Sequence, residues 1–196
     1  MLRKNRVTKD ADDDTELSRR VEQKLLKQRV ILLFEELDEV VAADVIQNLI
    51  LMDTQSQKPI KLLINSIGGC VSDGLAILDV MEAIKSPVYT FITGTAMSMA
   101  ALISICGARR FITSNGVWMN HESRTEHKDY LGRLHDRLAW DLKQENDLNT
   151  IILNRTKLTS KEIEQCNSGE LWFGAKETVE KGICDEILTK LYKVGK

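Results

Sequence analysis

The sequence predicts an α/β domain built on a parallel sheet, from three observations. Residues 29–34 (RVILLF), 60–64 and 88–93 are short, aliphatic and β-branched, with the length of buried strands. Each is followed by a stretch with apolar residues at helical spacing. Strand and helix thus alternate three times between residues 29 and 107. That alternation calls for right-handed crossovers between parallel strands. In such sheets a site lies at the carboxyl ends of the strands.

Residues 1–18 carry an acidic clump at Asp10, Asp12, Asp13 and Asp14 and are too polar to fold alone. They read as a flexible arm, or as a segment that orders only against a partner. Residues 16–27 suit a short helix. After the first strand, Val40, Val41, Val45, Ile46, Leu49 and Ile50 make 37–51 an amphipathic helix. A polar loop at 53–58 ends near Pro59, and strand 60–64 follows. It runs into the sharp turn Asn65-Ser66-Ile67-Gly68-Gly69, then helix 70–85. Pro87 opens strand 88–93, which Gly94 and Thr95 break. Residues 97–107 are apolar and small, a buried helix. Two short strands, 110–113 and 116–120, come next, with His121 just past the second. Residues 122–129 are polar and read as extended. Residues 130–158 form one long helix, and helices of that length project from a body and pack on a second subunit. Thr159 to Gln165 opens with a capping box. A turn or short strand at 169–173, a helix at 175–181 closed by Gly182, and a strand at 184–188 complete the chain.

A chain of 196 residues suits one domain, or a domain with a short appendage. The net charge of −2 gives no general pull toward nucleic acid or an anionic membrane. No apolar run reaches a membrane span and the N-terminus has no signal-peptide pattern, so a soluble, cytoplasmic protein is expected. Cys70, Cys106, Cys166 and Cys184 lack the spacing of a zinc site or disulfide framework. Cys70 and Cys106 fall in apolar helix patterns and are expected to be buried thiols. His121, His127 and His135 lack the spacing of a zinc protease.

Three places could carry chemistry. Ser98 sits where strand becomes helix, beside N–H groups without intrahelical partners. That suits a nucleophile that builds an oxyanion beside itself; a plain helix cap uses the same residue at the same place. Gly68 and Gly69 let the backbone approach a ligand with exposed donors, and a common strand-to-helix turn uses glycines too. Gly68 and the Met99 N–H would make a two-donor oxyanion hole. His121 suits a general base near neutral pH, and equally a plain loop histidine.

The stretch GTAMSMAALISICGARRFITSNGVWMNHE resembles the core of the caseinolytic protease proteolytic subunit (ClpP) family, serine peptidases that partner ring-shaped unfoldases. Upstream, LLKQRVILL and KLLINSIGGCVSDGLAILDVMEAI resemble its first core strand and its oxyanion turn; downstream, EKGICDEI resembles its ending. The resemblance covers about residues 20–190, with the motifs in order. It implies the ClpP/crotonase fold: α/β, repeated β-β-α and βα units, with a protruding handle helix at about 122–158 of a single domain spanning 19–196. It implies Ser98 as nucleophile, His121 as base, and the Gly68 and Met99 amides as oxyanion hole. Glu170 falls where the family has an aspartate and would be the triad acid. Ile67 replaces a proline, and Glu122-Ser123 replaces glutamine-proline. Implied partners are further copies in two stacked heptamers or a mixed Clp ring, an AAA+ unfoldase, and unfolded polypeptide. No metal or organic cofactor is implied on this chain, because ATP belongs to the unfoldase. The alternatives are an inactive structural subunit of a mixed ring, for which Glu170 is the one argument, and crotonase-type chemistry on acyl-CoA.

Overall fold

The computed structural model describes residues 20–21, 23–166 and 169–190. The expected arm at 1–18 lies outside them. Seven strands form one sheet: β1 (Val30–Leu33), β2 (Ile60–Ser66), β3 (Val88–Met97), β4 (Arg109–Thr113), β5 (Val117–His121), β6 (Glu170–Gly174) and β7 (Glu186–Leu188). The path β1-β2-β3-β4-β7 is parallel throughout. The crossovers are α1 (Glu39–Gln55), α2 (Val71–Ala83) and α3 (Met99–Ile105), so the predicted alternation holds.

The sheet forks at β3. Its first half pairs with β4, from Tyr89↔Arg109 to Ile92↔Ile112. Its second half pairs with β5, from Thr95↔Val117 to Met97↔Met119. The expected break at Gly94 and Thr95 is instead a bulge within one ten-residue strand. Asn65 Oδ1 accepts from the Thr95 N–H at 3.0 Å, a side chain standing in for a ladder partner where the register slips. A Cβ on Gly94 would lie 2.2 Å from that same oxygen, so glycine here serves close approach and not chain reversal.

Leu33, Leu49, Leu62, Ile64, Ile77 and Ile103 fill the space between sheet and helices. Trp118, fully buried, donates from Nε1 to the Ala101 carbonyl at 3.2 Å and stacks on Phe173. Asp38 caps α1, its Oδ1 accepting from the N–H groups of Val40 and Val41. At the opposite edge from the strand ends, Arg29 ties loops together by donating to the carbonyls of Met52, Ser56, Lys58 and Pro59.

The long helix is α4 (Leu131–Arg155), roughly 37 Å by its 25 residues. Only Leu148 and Ile152 are buried; Leu131, Leu138, Trp140 and Leu142 are exposed. The helices α5 (Ser160–Cys166) and α6 (Ala175–Glu180) follow. Thr159 and Glu162 form the predicted capping box, the Thr159 N–H donating to Glu162 and the Glu162 N–H to the Thr159 hydroxyl. Cys70 corrects its prediction. It precedes α2 as the cap residue, outside the apolar face, and is exposed, with Sγ 3.1 Å from Ser72 Oγ. Cys106 is half-buried.

Candidate active site

Ser98 joins β3 to α3 with φ 52° and ψ −125°, one of two positive-φ non-glycine residues among those described. Such a backbone costs about 1–3 kcal/mol and persists only where its surroundings over-determine it. They do here. The Ser98 N–H donates to the Met119 carbonyl on β5 at 2.9 Å, and the Ser98 carbonyl accepts from the Ala101 and Leu102 N–H groups. The side chain makes no capping hydrogen bond. The cap reading therefore fails: the hydroxyl is left to a small open cavity that Met99, Leu102, Asn120 and His121 also line.

Gly68 is built against the same turn. Its φ is +91° and Gly69 follows at +147°, conformations that side chains other than glycine's rarely adopt. A Cβ on Gly68 would meet Met97 O at 2.6 Å, Ser98 Cβ at 2.8 Å and Met99 N at 2.9 Å. Gly68 thus packs directly on the turn that carries Ser98 and the Met99 N–H. Met99 opens α3, so its N–H has no intrahelical acceptor. The Gly68 N–H is not free: the buried Ser66 hydroxyl accepts it at 3.1 Å while donating to the Glu35 carbonyl at 2.6 Å. The Gly68 carbonyl accepts from the Leu37 N–H and the Cys70 N–H donates to the Leu37 carbonyl, clamping the turn to the chain after β1.

His121 is the last residue of β5 and not the residue after it. β5 pairs with β6 antiparallel, and the register places His121 opposite Glu170. Directly opposed residues share a face of the sheet, about 5 Å apart at Cβ. The two residues are thus neighbours, and Trp172 lies one step along the same face. The Glu170 carboxylate accepts from the Trp172 indole N–H at 2.8 Å. Among the described residues no hydrogen bond joins Ser98, His121 and Glu170 side chains to one another.

Several contributors escaped the sequence reading. Asn65 and Ser66 were visible in the turn, yet their roles depend on which strands flank them. Glu145 reaches the cavity from α4, 24 residues beyond His121, by a helix packing that spacing does not reveal. The polar stretch 122–129 is irregular chain and not a strand. It is latched to α4: Thr125 and His127 contact Asp141 at 2.8 and 2.5 Å, and the Ser123 N–H donates to Glu145 at 3.2 Å. Bonds from Thr125 first, then His127, hold the Asp141 carboxyl below its ordinary pKa. Among the described residues no group of three or more His, Cys, Asp or Glu is placed to hold a metal ion. None of the helices described is long and apolar enough to cross a membrane.

The Clp protease family matches residues 13–191 of the chain. An ATP-dependent Clp protease proteolytic subunit from Streptococcus mutans is 36% identical over 174 residues, 84% of this chain and 87% of its own length. Subunits of the same name from Streptococcus suis and Streptococcus pneumoniae are each 34% identical over 170 residues, with the same coverage. A match that spans both chains almost end to end, on a sheet whose forked third strand delivers a serine elbow, has one consequence: this chain is a divergent member of the Clp protease family.

Proposed function

We propose that the chain is the proteolytic subunit of a self-compartmentalised serine endopeptidase that degrades unfolded polypeptide. One observation carries this reading: a strained serine elbow with no capping bond, facing a cavity it shares with His121, with the Gly68 and Met99 amides beside it. In the reaction, Ser98 Oγ bonds to the scissile carbonyl carbon while its proton passes to His121. Charge develops on the carbonyl oxygen, and the Met99 and Gly68 N–H groups receive it. An oxyanion is a stronger acceptor than the Ser66 hydroxyl, so the Gly68 donor turns toward it. His121 then protonates the amine as the C–N bond breaks, leaving an acyl-Ser98. Water, deprotonated by His121, attacks the ester and restores Ser98. Glu170, beside His121 on the sheet face, orients and charge-stabilises the imidazole.

The exposed apolar residues of α4 supply the surface by which rings of subunits stack, in one kind of chain or a mixed ring. An ATP-dependent AAA+ unfoldase feeds the chamber and consumes the ATP; this chain carries no cofactor. A second reading, an inactive structural subunit, draws on one feature: the Trp172 indole already holds the Glu170 carboxylate. Labelling of the assembled protein with a fluorophosphonate, located by peptide mass, separates the two. Modification of Ser98, absent in Ser98→Ala, is expected. An unlabelled, fully assembled ring establishes the structural reading instead.

A further inference from the structure

The cavity beside Ser98 carries a carboxylate. Glu145, half-buried, stands in its wall with Val71, Leu102, Leu148 and Ile152. Only neutral groups meet it: the Ser123 N–H donates to Oε2 at 3.2 Å and Asn149 Nδ2 to Oε1 at 3.5 Å. Among the described residues no lysine, arginine or histidine pairs with it. Its neighbours differ. Asp141 is paired with His127, Asp147 with Lys143, and Asp129 with Arg133 and Arg137. The groove that continues from the cavity is lined by Glu145, Glu122 and Asp141; Arg124 also lines it but forms no ion pair among the described residues.

A partly desolvated anion without a cation favours a ligand that brings one. The aliphatic part of the cavity wall, Val71, Leu102, Leu148 and Ile152, suits the methylene stem of a long basic side chain, whose head then reaches the carboxylate. We infer, on the peptidase reading of Ser98, that Glu145 selects lysine or arginine at the residue whose carbonyl Ser98 attacks. Leucine at that position gains the walls but leaves Glu145 unpaired, and glutamate or aspartate is repelled. A charge-assisted hydrogen bond in such a setting corresponds to roughly a 10- to 100-fold preference.

The test uses peptidyl diphenyl phosphonates that differ only in the side chain next to phosphorus: lysine, leucine or glutamate. The rate of Ser98 modification in the assembled protein is read by mass. Each rate is divided by the same variant's rate with a small fluorophosphonate, which has no such side chain. The wild-type lysine-to-leucine ratio is expected to be at least tenfold. Glu145→Gln should lower that ratio at least tenfold, and Glu145→Lys should make the glutamate probe the fastest. A wild-type ratio of one or below, or one that Glu145→Gln leaves unchanged, overturns the inference while the small probe still labels Ser98. If no probe labels Ser98, the peptidase reading fails and the selectivity falls with it.

Discussion

Gly68→Ala tests the site where its geometry is tightest. The added Cβ would lie 2.6 Å from Met97 O, 2.8 Å from Ser98 Cβ and 2.9 Å from Met99 N. Each is inside van der Waals contact by more than 0.5 Å on the order-of-magnitude carbon contact distance of about 3.5 Å. All three atoms belong to the elbow, which is pinned to β5 and α3, so relief requires the two turns to separate. A positive φ on alanine costs about 1–2 kcal/mol, and overpacking adds about 1–3 kcal/mol. The sum, about 2–5 kcal/mol, lowers the melting temperature of a chain this size by roughly 5–15 °C. On the proposed peptidase reading, separation also withdraws the Gly68 donor from the oxyanion position, and loss of one such donor lowers the rate about 10²–10³-fold. The assay is the rate of Ser98 phosphonylation by a fluorophosphonate below the variant's melting temperature, alongside a thermal melt. A variant that labels within threefold of wild type and melts within 2 °C would refute the packing of Gly68 on the elbow as the source of the oxyanion hole.

On the proposed reading with Glu170 as triad acid, Glu170→Ala is expected to lower kcat/KM for peptide cleavage on the order of 10⁴-fold; an unchanged rate assigns the orienting role elsewhere. Trp172→Phe removes the indole donor that holds Glu170 and should raise the rate. Lys181, followed by the Thr159 N–H and hydroxyl, holds the Glu162 carboxyl at about 2. The folded state therefore favours the carboxylate, and this stabilisation is complete above the ordinary carboxyl pKa and lost as pH falls from about 4.5 toward 2. Urea midpoints across that window should fall more steeply for wild type than for Glu162→Gln. Burial pushes the Cys106 thiol up to about 11 and Cys184 up to about 12. Alkylation of the native protein at pH 8 should thus modify exposed Cys70 first and reach Cys184 only after unfolding, as peptide mapping would show.

The sequence alone determined the strand–helix alternation, because apolar periodicity records which face of each element is buried. It offered Ser98, His121 and Gly68 as candidates at element ends, each with a plain structural reading beside it, and only the resemblance of the surrounding motifs to those of the family set them apart. It misjudged places where a partner far along the chain decides the outcome. Gly94 breaks nothing because Asn65 replaces the missing ladder bond. Cys70 lies in an apolar pattern but one residue before the helix whose face is buried. Glu170, which the resemblance already pairs with His121 from 49 residues away, stands opposite it through the antiparallel register of β5 and β6. Glu145 joins the cavity only because α4 packs its buried end, Leu148 and Ile152, against the body that carries Ser98. Periodicity is a local property of the chain, whereas register and helix packing follow from closing one core around all its elements at once. That closure alone set Glu170 opposite His121 and brought Glu145 to the cavity beside Ser98.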